Sequence, residues 1–355
     1  MIQIRKKIAL ELARRLARNE RELHPLQQLF WESTVRCNIN CRHCGSDCKQ
    51  IAETPDMPRE DFFRVLDSVA KHVNPKEVLV IIGGGEPLVR EDIVECAQGI
   101  SDRGFPWGMV SNGLYMTAER YQQLKDAGLC SLTISLDGLE EQHTWLRRHP
   151  DCFRMAEEAI DRLVKDGNEI AYDVMTCVHQ MNYNLLPQLR DHLISKGVTH
   201  WRMATIFPVG RGGQDERLRL SKEQFRGLME FIRQTRQEGR IHASYGCEGF
   251  LGPYEGEVRD WAFRCAAGVT VGSVLVDGSI SACTSIRHNY KQGNIYNDDF
   301  MDVWEHRFRQ HRNHEWMKRD DCATCKHWRY CEGNGLHLRD DEGKLLFCHM
   351  KQLEN

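Results

Sequence analysis

The stretch LFWESTVRCNINCRHC, residues 29–44, joins an apolar run of strand length to three cysteines spaced CxxxCxxC. Eight residues cannot wrap far, so the sulfurs of Cys37, Cys41 and Cys44 must converge on one object. A structural zinc site wants four closed ligands, commonly as two separated pairs, and this triplet has no partner pair at a fitting distance. A cubane iron–sulfur cluster held by three cysteines keeps one iron without a protein ligand, which is a place to bind a substrate or cofactor. His43 and Cys48 are alternative closing ligands.

Working outward, apolar runs of strand length alternate with helical periods from residue 29 to about 240. The expected strands are 29–35, 78–82, 107–111, 132–136, 170–178 and 200–207. Between them lie helices such as 58–72, opened by Pro58, and 117–127, capped by Thr117 and ended by Gly128. Six β-α units in succession argue a parallel sheet, either open or curved into a partial barrel. Near 240 the rhythm stops. A hairpin follows, VLVDGSISAC (274–283), whose Asp277-Gly278 pair suits a type I′ turn, and then a cysteine-rich tail. The expected organisation is therefore an N-terminal helix over 1–27, a barrel over 28–240 and a small cysteine-rich domain over 241–355.

Composition narrows the function classes. The 355 residues carry a net charge of −3 with acids and bases mixed throughout, so no basic stripe marks a nucleic-acid binder. No segment approaches the roughly 18 apolar residues of a membrane span. The basic N-terminus lacks a signal peptide's apolar run, and a cytoplasmic location is expected. Fifteen cysteines in a reducing compartment read as metal ligands or redox groups. Within the first 24 residues, Ile4, Ile8, Leu12 and Leu16 fall at helical spacing. A cap packed on the barrel is the expectation, with a membrane-surface or partner-binding helix as the alternative.

A second motif, IIGGGEP (81–87), ends the second strand. Glycines there let the backbone approach a bound molecule, and Glu86 offers a carboxylate to a cation. With CxxxCxxC directly after the first strand, the chain resembles the radical S-adenosylmethionine (SAM) superfamily, which implies a partial (β/α)6 TIM barrel. In that family SAM binds the open iron of a [4Fe–4S] cluster and is cleaved reductively to a 5′-deoxyadenosyl radical. The family has an aromatic residue where this chain has His43. Gly83, Gly84, Gly85 and Glu86 match the family motif that contacts the SAM amino group. The resemblance further implies cofactor-binding roles for Asn112 in VSNG, Ser135 and Asp137 in SLDG, Arg147 in LRRHPDCF, Asn182, and Arg202 ahead of PVGRG. These residues lie at the carboxyl ends of strands, where parallel α/β folds place ligands.

The tail resembles the SPASM extension of such enzymes, which carries auxiliary iron–sulfur clusters. GNIYNDDFMDVW (293–304) is similar to its linker. Cys322, Cys325, Cys331 and Cys348 would hold one complete auxiliary [4Fe–4S] cluster; zinc is the alternative for that set taken alone. Cys265 and Cys283 belong to a second auxiliary site that is short of a ligand, because Gly335 stands where the pattern calls for cysteine. Cys247 is the candidate supplement, and an open-iron cluster, a smaller cluster or none are the other outcomes. Cys96, Cys130, Cys152 and Cys177 read as small hydrophobes, and His288, His314 and His337 show no ligand spacing. The resemblance implies a cytoplasmic enzyme that modifies a peptide or protein substrate, with flavodoxin or ferredoxin as electron donor. It is closest to a branch paired with lipoprotein-like peptides in Bacteroidetes-type bacteria. A small-molecule or tetrapyrrole substrate, or a non-catalytic iron–sulfur or zinc scaffold, are the competing readings.

Overall fold

A computed structural model describes residues 4–167, 169–246, 249–286 and 289–354. Cys247 and His288 lie outside the described residues. Seven parallel strands follow one another: β1 (Gln28–Thr34), β2 (Leu79–Gly84), β3 (Trp107–Ser111), β4 (Leu129–Ser135), β5 (Ala171–Val178), β6 (His200–Thr205) and β7 (His242–Tyr245). The sheet does not close on itself. Beyond β1 it continues through β8 (Val271–Val274), parallel to β1, then antiparallel β9 (Ser279–Ser281) and β10 (Gly293–Asn294). One sheet thus runs from the barrel into the C-terminal segment, and its outer strands are β10 and β7.

Successive side chains of the strands point to opposite faces. Leu29 and Trp31, Val80 and Ile82, Trp107 and Met109, and Leu132 and Ile134 are buried under the helices. Their neighbours Phe30, Ile81, Val110, Thr133, Asp173 and Arg202 instead line a chamber on the concave face. The covering helices include α2 (Arg59–Val69), α3 (Ile93–Asp102), α4 (Ala118–Asp126), α5 (Glu140–Arg147), α6 (Cys152–Lys165), a short α7 (Gln180–Tyr183), α8 (Leu186–Lys196) and α9 (Lys222–Glu238). Thr117 caps α4 by accepting the Arg120 N–H, as its sequence position suggests. Trp31 stacks on Phe62 at 4.4 Å, and the Arg90 guanidinium covers the Trp31 ring at 5.2 Å. Arg90 also donates to the carbonyls of Ser33 (2.7 Å) and Met57 (2.9 Å), fixing the carboxyl end of β1.

Two local expectations need correction. The hairpin after β8 is not type I′: Gly278 has φ +81°, but Asp277 is not left-handed, and the tight bond runs from Gly278 N to Leu275 O (2.9 Å). The N-terminal helix α1 (Ile4–Leu23) packs on the C-terminal segment rather than on the barrel, and not through its most apolar stripe. It buries Leu10 and Ala17 against Phe250, Phe263 and Met350 of the C-terminal segment, leaving Ile4, Ile8, Leu12 and Leu16 exposed. No helix among the described residues is long and apolar enough to cross a membrane.

Candidate active site at the strand ends

The loop that leaves β1 is folded back by its own backbone. Cys37 N donates to Lys49 O (2.8 Å) and Arg42 N to Leu146 O (2.9 Å). Cys37, Cys41, Cys44 and Cys48 are thereby brought to one pocket, with Ile39, His43, Gly84, Gly85, Glu86, Val110, Ser111, Asn112, Ser135, Arg147 and Arg211 completing its lining. Nine of the expected residues meet here, from the segments that end or follow four strands, β1 to β4.

The glycines act in a way the sequence does not reveal. A Cβ on Gly84 would meet Thr34 O, and one on Gly85 would meet Arg36 O, each at 2.1 Å. Their close approach is therefore to the chain's own backbone, where Gly85 N bonds Thr34 O (2.8 Å) and Glu86 N bonds Arg36 O (3.0 Å). Gly83 meets nothing. Glu86, 1% exposed, accepts from Asn112 N (2.7 Å), Ser111 Oγ (2.9 Å) and Leu88 N (3.2 Å). Burial still outweighs these donors and raises its pKa to about 7. A cation placed beside it would restore the charge.

Asp137 and Asn182 lie behind the pocket rather than on its lining. Asp137 accepts from Arg147 Nε at 2.6 Å and from Cys177 N at 2.8 Å. Against the penalty of burial, the Arg147 charge holds the Asp137 carboxyl well below the usual range, and Asp137 in turn keeps the buried Arg147 protonated. Asn182 donates to Asp137 O (2.6 Å) and Cys177 O (2.9 Å), so both residues serve to hold Arg147 and the β4 and β5 ends in place. Arg202 stands elsewhere. Opposite Met175 in the β5–β6 register, it lies deeper on the concave face, with Nε 2.7 Å from Asp173 Oδ2 and Nη2 3.3 Å from Thr133 Oγ1.

Sequence reasoning passed over Arg211 as a site residue. The signal was in PVGRG: Gly210 has φ +56°, and a Cβ there would lie 2.5 Å from Gly45 O. That close contact lets Arg211 donate to Cys41 O (2.8 Å) and Cys48 O (3.2 Å), clamping the cysteine loop.

The sulfur environment fits an iron–sulfur cluster. Burial pushes Cys37 up to about 12 and Cys41 up to about 11. A hydrogen bond from Cys48 holds Cys44 well below the usual thiol range. Ligation would displace the remaining protons. Asn112 Nδ2 and Arg147 Nη1 each lie 3.9 Å from a sulfur, of Cys37 and Cys41 respectively, as outer donors able to offset thiolate charge.

In the tail, Cys322, Cys325, Cys331 and Cys348 line one pocket of about 230 Å³. Arg339 Nη2 stands 3.6 Å from the Cys322 sulfur, and burial pushes Cys331 up to about 12. Cys265 lines a separate cleft beneath α1 together with Cys331. Its thiol is raised first by burial, with the neighbouring Cys283 adding to the rise. Gly335 offers no side chain at the start of the turn Leu336–Leu338. Cys96 and Cys152 are buried, and Cys130 and Cys177 half-buried.

Comparison with known proteins agrees with this geometry. The radical SAM superfamily model matches residues 31–193, and the iron–sulfur cluster-binding SPASM domain model matches 265–327, stopping short of Cys331 and Cys348. The AdoMet-dependent heme synthase of Methanosarcina barkeri is 25% identical over 327 residues, covering 86% of this chain and 90% of that protein. Mycofactocin maturase MftC of Mycolicibacterium smegmatis is 28% identical over 317 residues, covering 86% and 76%. Streptococcus suis SuiB bound to S-adenosylmethionine superposes with a TM-score of 0.69 at 18% identity, over 87% of this chain and 72% of that one, which shows the fold. The chain carries a radical SAM superfamily domain and, behind it, a SPASM domain, which imply a [4Fe–4S] cluster with SAM and auxiliary iron–sulfur binding.

Proposed function

We propose that this enzyme modifies a ribosomally made peptide or protein by abstracting hydrogen from one of its C–H bonds. The observation that carries the reading is the position of Val110. It lines both the cysteine pocket and the concave chamber of about 470 Å³, so the two cavities adjoin at β3, and a substrate held in the barrel interior would lie beside the cysteine pocket. Phe30, Leu79 and Ile81 make one wall of that chamber apolar; Thr133, Asp173, Arg202 and Ser244 make the other polar. Such walls suit a peptide segment, whose backbone needs hydrogen-bond partners while its side chains seek apolar cover. Similarity to a maturase supports the same reading.

Cys37, Cys41 and Cys44 would hold the cluster. Glu86 would receive the SAM ammonium, and Arg147, locked by Asp137, its carboxylate. When bound, cluster and SAM supply the electron and the adenosyl group for radical hydrogen abstraction. The buried walls exclude water from that chemistry, Cys322, Cys325, Cys331 and Cys348 would hold an auxiliary cluster, and flavodoxin or ferredoxin would deliver the electron. A tetrapyrrole substrate is the second reading, favoured by similarity to a heme synthase across most of both chains.

The test is anaerobic turnover of reconstituted enzyme with a co-expressed candidate peptide and, separately, with an iron tetrapyrrole, reading 5′-deoxyadenosine and product mass together. A mass change in the peptide matched by 5′-deoxyadenosine supports the proposal. Stoichiometric conversion of the tetrapyrrole with an unaltered peptide would overturn it in favour of the second reading.

A further inference from the structure

Helix α1 is buried on one side only. Leu10 and Ala17 face the C-terminal segment, and Lys6, Arg21 and Glu20 tie that side to Glu257, Glu332 and Arg264. The opposite side is open and carries five large apolar side chains among polar ones: Ile4, Ile8, Leu12, Leu16 and Leu23 are 79, 57, 56, 61 and 75% exposed. Of the twelve large hydrophobic side chains exposed among the described residues, five lie on this helix, which is a patch rather than scatter.

We propose that α1 docks the enzyme on an anionic lipid surface, its exposed leucines and isoleucines entering the headgroup boundary and its free cations meeting lipid phosphates. Three observations select this occupant. The first is shape. Each four-residue step from Ile4 to Leu16 advances about 40° around the axis, so these side chains fan over roughly 120° along about 18 Å, and Leu23 extends the ridge to about 30 Å. A partner helix reads a narrow seam of alternating three- and four-residue steps. A broad convex sector matches a continuous apolar phase.

The second is charge. Residues 4–23 hold seven Lys or Arg against three Glu, a net +4 within a chain of net −3. With Lys6 and Arg21 paired to Glu257 and Glu332 on the packed side, the open side keeps three unpaired cations; two copies meeting through it would set three against three, whereas an anionic surface is complementary. The third is which cations are available. Arg14, Arg18 and Arg21 are engaged with Glu11, Glu22 and Glu332, but Arg5, Lys7 and Arg15 are exposed and have no ion pair among the described residues. Arg5 and Arg15 project within the apolar sector and Lys7 beside it, where long stems lie along apolar surface while the heads reach for phosphate. The glutamate of the sector, Glu22, is already neutralised by Arg18. This inference does not depend on the substrate chosen above.

The experiment is co-sedimentation of full-length, cluster-loaded protein with vesicles of phosphatidylglycerol mixed into phosphatidylcholine, and with pure phosphatidylcholine. Binding to the anionic vesicles that weakens with salt is expected. Arg5→Gln/Lys7→Gln/Arg15→Gln should lower the partition coefficient about a hundredfold, at about fivefold per cation. Leu12→Gln/Leu16→Gln, at positions already in solvent and therefore neutral for folding, should lower it at least about tenfold. Circular dichroism and 5′-deoxyadenosine formation should stay at wild-type level in both variants. Equal binding to both vesicle types would overturn the proposal. So would a wild-type dimer in light scattering that Leu12→Gln/Leu16→Gln dissolves, which assigns the face to a second copy. Tight capture of a polyglutamate peptide without vesicle binding would assign it to an acidic polypeptide instead.

Discussion

Glu86→Gln separates the charge of this residue from its hydrogen bonds. The carboxylate is buried and accepts three donors, and burial raises its pKa from 4.5 to about 7. That rise corresponds to roughly 3 kcal/mol of unfavourable charge burial above pH 7. Because the native pKa lies above the unfolded one, the native state binds more protons between pH 4.5 and about 7, and stability falls as pH rises through that window. Glutamine removes this slope and loses one accepted hydrogen bond, costing about 1 kcal/mol, so folding should survive. Ligand binding should not. An ammonium facing a neutral amide loses a charge-assisted hydrogen bond of about 1.5–3 kcal/mol, about ten- to hundredfold in SAM affinity. The wild type should bind SAM about tenfold more weakly at pH 6 than at pH 8, with proton release, because the carboxyl must ionise first. Isothermal titration of cluster-loaded protein in buffers of different ionisation enthalpy reads both effects. A variant that keeps wild-type affinity and the same pH slope would refute the role of Glu86.

The remaining outcomes follow from which groups share a pocket. Cys37→Ala/Cys41→Ala/Cys44→Ala should abolish 5′-deoxyadenosine formation while iron and sulfide stay bound, since the tail cysteines line a separate pocket; iron analysis checks it. Adding Cys325→Ala/Cys348→Ala to that background should remove about one cubane's iron, seen by Mössbauer spectroscopy, because that pocket then keeps only two of its four sulfurs. Arg211→Ala should speed iron loss to a chelator about tenfold at unchanged circular dichroism, because Arg211 holds Cys41 O and Cys48 O. Arg202→Ala should lower product formation at least about tenfold and leave SAM affinity within about twofold, as a lost charged hydrogen bond in the chamber would. A loss of SAM affinity would place Arg202 with the cofactor after all.

What the sequence revealed and what it withheld divide along the range of the interactions. Strands 107–111 and the cysteine loop are local patterns: period-two burial and the reach of eight residues fix them wherever the chain goes next. The role of Arg202 is not local. Its depth on the concave face depends on its standing opposite Met175, and a shift of two residues along β6 would move its side chain by one layer toward the rim. Asn182 and Asp137 are turn residues by type, and only tertiary contact turns them into supports for Arg147. The helix α1 shows the same limit from the other side. Its hydrophobic stripe argues for burial of Ile4 to Leu16, yet the face that packs is the one with Leu10 and Ala17, where a small residue lets the helix approach and Lys6 and Arg21 find Glu257 and Glu332. Ion pairs and close approach on one side thus outweigh apolar area on the other, an imbalance that makes physical sense when the larger apolar face has a further surface to meet.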